Sequence, residues 1–124
     1  MLLDSNTVIY AAKPEHRQLR QFLAQYAFSV SAISQVEVLG YHKLTPENKQ
    51  YFQTFFQMTP VLPVSDAVIQ KALALRQQNK MSLGDALIGA TALIYGLTLI
   101  TSNVKDFEWI EGLSVRDPLK QGEP

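Results

Sequence analysis

The chain has 124 residues, 47% of them hydrophobic, with 11 basic and 11 acidic residues and no cysteine. That is enough for one domain with a buried core, which excludes a disordered segment, and it lacks the basic excess of many nucleic-acid binders. Without cysteine there is no disulfide, thiolate metal site or cysteine nucleophile, which fits a cytoplasmic protein.

Short apolar segments alternate with longer helical patterns. Residues 1–3 read as a strand that ends at Asp4, with no basic leader ahead of it. Helical patterns follow over 6–12 and 15–26, the second carrying Leu19, Phe22, Leu23 and Tyr26 at helical spacing. Residues 28–31 read as the second strand and 34–44 as a helix. Thr45 and Pro46 form a helix start, a capping residue followed by proline at the first helical position. The strand over 59–64 contains Pro60 and Pro63, which places it at an edge of the sheet.

A helix over 65–79 comes next. The segment 82–95 is apolar nearly all round, the mark of a buried helix, and Gly96 closes it. The apolar stretch 86–100 is too short, and too interrupted by Gly89 and Gly96, to cross a membrane. A strand over 97–100, a short helix over 103–110 and an edge strand over 113–115 complete a domain expected to span residues 1–119, with 120–124 as a tail. Strands alternating with helices predict an α/β fold, with a parallel sheet of four to five strands covered on both faces.

The acids are the candidate site. Open parallel sheets bind ligands beyond the carboxyl ends of their strands. Asp4 stands where the first strand ends, Glu37 one turn into the helix expected from Ser34, and Asp85 one turn into the helix from Ser82. Asp106 follows the strand that ends near Thr101, with Asn103 between them. Each position also has a structural explanation. Ser34-Gln-Val-Glu37 and Ser82-Leu-Gly-Asp85 have capping-box spacing, and Asp4-Ser-Asn reads equally as a turn or cap.

The joint pattern is harder to explain by capping. Asp85 lies among Leu83, Ala86, Leu87 and Ile88, where a buried charge is costly unless paired. Several carboxylates in one pocket repel unless a cation sits among them. Oxygen ligands without a Cys or His cluster point to Mg²⁺ or Mn²⁺, an ion suited to phosphodiester hydrolysis.

These segments resemble a known family. Leu3-Asp4-Ser5-Asn6-Thr7-Val8-Ile9-Tyr10 is similar to the opening LDTNVLIY of PIN-domain proteins. Segments 31–40, 83–92 and 99–107 resemble the family's second, third and fourth acidic motifs, in the family order and across nearly the whole chain. The resemblance implies a three-layer α/β/α fold and Mg²⁺- or Mn²⁺-dependent RNA cleavage. Small size without extra domains resembles the VapC-type toxins of bacterial toxin–antitoxin pairs, which implies a homodimer held inactive by a cognate antitoxin.

Carried over by position, the resemblance makes Asp4 and Asp85 the principal metal ligands, with Glu37 completing the site directly or through water. Many relatives place an Asp two residues after the Thr of the fourth motif. Here that residue is Asn103, with Asp106 three further on, so the fourth catalytic position is open between them. Thr101 is expected to orient the site through its hydroxyl. Gly84 stands where relatives often have Pro.

Other readings fit less well. A receiver domain needs paired acids after its first strand, and this chain offers one. Asn6 breaks an Asp-x-Asp phosphatase start, and no Gly-x-Gly-x-x-Gly follows a strand. The remaining alternative is a PIN-like module that binds RNA or protein without cutting. His16 and His42 read as surface helix residues. Tyr41 and Trp109 read as core or contact residues, as do Tyr51, Phe52, Phe55 and Phe56. The last four give their helix more aromatic surface than a small core needs, so part of it is expected to meet a dimer mate or antitoxin, unless Phe52 and Phe56 are buried within one chain.

Overall fold

The computed structural model describes residues 1–120; residues 121–124, most of the expected tail, lie outside them. The elements run β1 (Leu2–Leu3), α1 (Ser5–Ala11), α2 (Arg17–Leu23), β2 (Ser29–Ser31), α3 (Ala32–Leu39), α4 (Pro46–Met58) and β3 (Val61–Leu62). They continue with α5 (Asp66–Gln78), α6 (Leu83–Tyr95), β4 (Leu99–Ile100), α7 (Val104–Phe107) and β5 (Val115–Arg116). Two short 3-10 turns, Pro14–His16 and Pro118–Lys120, complete the described chain.

The five strands form one parallel sheet in the order β3-β2-β1-β4-β5. The chain winds outward from β1 through β2 to β3, then crosses back to place β4 on the other side of β1. The winding direction therefore reverses at β1, the place where parallel sheets open a crevice at their carboxyl ends. The segment 59–64 is an edge strand as expected, shortened to Val61–Leu62.

Strand alternation makes the two layers. Leu2 and Leu99 face one core with Val68, Ala72, Leu75 and Ile88 from α5 and α6. Leu3 and Ile100 face the other, with Val8, Leu19, Phe22, Val38 and Phe52 from α1–α4. Helices thus cover both faces, and among the described residues none is long and apolar enough to cross a membrane.

Phe52 and Phe56 are 3% and 5% exposed, inside the core of a single chain. Phe55 is half-buried and stacks on Phe28, with ring centroids 6.2 Å apart. The expectation that these phenylalanines serve a partner is therefore withdrawn; the α1–α4 layer needs their volume itself.

Helix ends follow local chemistry. Thr45, Ser65 and Ser82 each accept a backbone N–H at the start of α4, α5 and α6. Gly96 ends α6 in the left-handed region, at φ 65°. Ser31 rather than Ser34 caps α3, its Oγ accepting from the Ile33 N–H at 3.2 Å. The helix expected from Ser34 thus begins two residues earlier, at Ala32, because the serine that closes β2 is already placed to cap.

Candidate functional site

Asp4 leaves β1 at its carboxyl end, beside the reversal point, and is only 4% exposed. It caps α1, with Oδ1 accepting from the Thr7 N–H at 2.8 Å. Oδ2 accepts from the Thr101 hydroxyl at 2.5 Å, just beyond the end of neighbouring β4. The Asn103 N–H in turn donates to the Thr101 Oγ1 at 3.0 Å. A carboxylate has about four acceptor positions, so these two bonds fix its orientation and leave capacity for a further ligand. Capping and ligation are compatible at Asp4.

Glu37 lies in the second turn of α3, so the capping-box explanation does not apply to it. The Ser5 hydroxyl donates to its Oε1 at 2.6 Å, and Ser5 Oγ also lies 3.0 Å from Ser34 Oγ. Its other oxygen, Oε2, presses on the place where a Cβ would stand at Gly84. The missing side chain of Gly84 therefore leaves room for the Glu37 carboxylate against the first turn of α6, next to Asp85.

Asp85 is half-buried rather than sealed in its apolar helix, and its N–H donates to the Ser82 cap at 3.1 Å. Its carboxyl is held above the usual carboxylate range. Burial is the first cause, followed by the charge of Asp106, with Asp4 and Glu37 adding to it against a lowering Ser82 hydrogen bond. Four acids from distant parts of the chain thus share one electrostatic neighbourhood. Asp106, exposed on α7, is the strongest charged neighbour of Asp85. Asn103 contributes its backbone N–H to the Thr101 link and caps α7 without a side-chain bond.

Ser5 and Ser34 are the polar partners that the sequence reading missed. A signal was present: Ser5 stands where the LDTNVLIY opening has Thr, also a hydroxyl residue. His16 is half-buried and tilts against the Tyr10 ring, and His42 against Tyr41, so neither joins the acids.

Among the described residues no three acidic or histidine side chains stand so that together they could hold an ion. The donor set instead fits a hard cation of the Mg²⁺ kind, which keeps much of its water and binds through one or two carboxylates. The geometry that carries that fit is the spare acceptor capacity of the oriented Asp4 carboxylate, with the Glu37 carboxylate braced by Ser5 against Gly84, next to Asp85.

Two grooves flank the acids. Glu37 belongs to one of about 470 Å³, lined mainly by apolar side chains that include Ile9, Val38, Leu44 and Phe52. Asp85 and Asp106 belong to the other, of about 580 Å³, with Arg76, Lys80 and Lys105.

Comparison with known proteins places this arrangement. The family model described as PIN domain matches residues 1–112. The chain is 31% identical to the tRNA(fMet)-specific endonuclease VapC of Salmonella typhimurium over 126 aligned residues, covering 94% of this chain and 96% of that protein. It is also 31% identical to Ribonuclease VapC1 of Rickettsia felis, covering 92% and 93% of the two chains. A chain of a toxin–antitoxin complex from Klebsiella pneumoniae superposes with a TM-score of 0.77 at 31% identity, over 94% of this chain and 96% of that one. The winding reversal at β1, with Asp4 at its mouth and three further acids gathered from α3, α6 and α7, thus has a family context: the chain belongs to the PIN domain family.

Proposed function

We propose that this chain is a Mg²⁺- or Mn²⁺-dependent endoribonuclease, the toxin of a toxin–antitoxin pair, acting in the cytoplasm as a homodimer restrained by its cognate antitoxin. The observation that carries the activity is the gathering of Asp4, Glu37, Asp85 and Asp106 beyond the carboxyl end of β1. The relatives' names support RNA as substrate, and the Klebsiella complex supports an antitoxin as partner.

Asp4 and Asp85 are the residues that would hold the ion, Asp4 already oriented by Thr7 and Thr101. When bound, such an ion polarises a phosphate oxygen and lowers the pKa of its water, giving a nucleophile at neutral pH. Glu37, braced by Ser5 and lying against Gly84 next to Asp85, would complete the site directly or through water. The fourth position stays between Asn103, whose backbone N–H joins the Thr101 link, and Asp106, whose charge lies in the neighbourhood of Asp85.

RNA cleavage in Mg²⁺ and in Mn²⁺ tests the reading, with wild type, Asp4→Asn, Asp85→Asn and chelated controls. Cleavage by wild type that is lost in both variants and in chelator is expected. Unchanged activity in either variant, or wild-type activity in chelator, would overturn it.

A further inference from the structure

The chain has zero formal charge, so its overall field offers an RNA strand no attraction. Attraction must therefore be local, and the two grooves beside the acids differ in what they offer. On the Glu37 side the lining is chiefly apolar, and one of its lysines, Lys13, places its ammonium over the Tyr10 ring at 5.5 Å. On the Asp85 side, the connection between α5 and α6 supplies Asn79 and Lys80, and α7 supplies Lys105. Arg76 also lines this groove, but its Nε donates to the Met81 carbonyl at 3.3 Å and so braces the connection itself. Lys80 and Lys105 remain as exposed cations on separate elements, in the same groove as Asp85 and Asp106.

From this juxtaposition we infer that the groove between the α5–α6 connection and α7 seats the RNA backbone next to the scissile phosphate, with Lys80 and Lys105 each taking one flanking phosphate. The inference rests on the ribonuclease reading above and adds a direction to it: the strand leaves the acids past Asp85, not past Glu37. Phosphate contacts of this kind position a strand without reading its sequence. Removing them weakens binding evenly across sequences and flattens its salt dependence.

The test uses the full chain carrying Asp4→Asn, which prevents cleavage during the measurement, with labelled oligouridine and oligoadenosine of equal length. Kd is measured in Mg²⁺ against salt concentration, alone and with Lys80→Gln, Lys105→Gln, both together, or Lys43→Gln from the opposite groove. The slope of log affinity against log salt should fall by about 0.7 for each of Lys80 and Lys105, the single-strand value per phosphate contact. It should fall alike for both RNAs and stay unchanged for Lys43→Gln. In the cleaving wild-type background, the loss from the double variant should fall on KM rather than kcat.

An unchanged slope in the double variant overturns the inference, as does a slope lost through Lys43→Gln instead. A fall in kcat with altered Mg²⁺ requirement and no change in slope also overturns it, since the lysines would then serve only to offset the acids. Wild-type cleavage scored in parallel separates the two readings. If wild type cuts RNA and the slopes do not move, only the groove assignment fails; if wild type cuts nothing, the ribonuclease reading fails.

Discussion

The Thr101 hydroxyl donates to Asp4 Oδ2 at 2.5 Å, joining the ends of two adjacent strands that are 97 residues apart in sequence. This bond, with the Thr7 N–H on the other oxygen, sets the direction in which a nearly inaccessible carboxylate faces the cleft. Thr101→Val keeps the shape and removes the donor. Loss of a buried hydrogen bond of this kind costs about 1–3 kcal/mol, and RNA cleavage should fall with it. Thr101→Ser, which keeps the hydroxyl, should recover most of both. Thermal unfolding and cleavage rates of the two variants check this.

Asp4 serves both folding and the site, and two substitutions separate the roles. Asparagine caps helices about as well as aspartate, whereas alanine loses about 1 kcal/mol at such a position. Asp4→Asn keeps the cap through Oδ1 but puts a donor where Oδ2 accepted from Thr101, so it should lose cleavage with only part of the stability loss of Asp4→Ala. Asp4→Ala should lose cleavage and also unfold at lower temperature.

Asp85 gives a pH dependence. Its folded carboxyl is raised by burial and then by Asp106, Asp4 and Glu37, so the folded state holds its proton more tightly than the unfolded chain. Folding then binds a proton between the ordinary carboxylate value and the raised one, and stability falls as pH rises through that window. Above the raised value the full cost of the charge remains. In chelator, Asp85→Asn should be more stable than wild type at neutral pH, and the advantage should vanish as pH falls to the ordinary carboxylate range. Melting temperatures across pH, with and without Mg²⁺, check the sign; Mg²⁺ should reverse the order of the two proteins at neutral pH.

Ser5 offers a test of Glu37 that leaves the acids intact. Ser5→Ala frees the Glu37 carboxylate from its 2.6 Å bond while leaving the backbone of α1 able to form. Misplacement of a working group by about 1 Å costs up to roughly 100-fold in rate. A loss of about 10–100-fold in cleavage with little change in melting temperature is expected, from single-turnover rates on an RNA the wild type cuts.

Gly96 provides the opposite control. Its φ of 65° favours glycine, and a Cβ there would meet no atom within 4 Å. Gly96→Ala should therefore cost about 1–2 kcal/mol through backbone conformation alone, leaving cleavage of RNA unchanged at temperatures where the protein stays folded.

Much of the fold was legible because it rests on short-range signals. Ser82 and Gly96 bracket α6, Thr45 with Pro46 opens α4, and the prolines at 60 and 63 mark an edge strand. The acids were legible because they follow strand ends and helix starts. What local patterns could not supply was competition between neighbours. Ser31 and Ser34 both suit a cap, and only the end of β2 decides for Ser31. Asp85 sits in an apolar helix, yet in its first turn, where the cleft leaves it half open. Phe52 and Phe56 are surplus to their own helix, and it is the packing of α1–α4 around them that buries both. The Ser5–Glu37 bond joins α1 to α3 and has no trace in either segment's own pattern.

The central position of β1 has a consequence for synthesis. Its outer neighbour on one side, β4, ends at Ile100, and the Thr101 hydroxyl and Asp106 follow it in the chain. A nascent polypeptide that has emerged only as far as α6 can pack α1–α4 but has no β4 to flank Leu2 and Leu3. Asp4 then lacks its second bond and Asp85 its strongest charged neighbour. Long-range pairing of this kind is a slow element of folding. A cell making this protein meets the assembled acid cluster only when translation has passed residue 106.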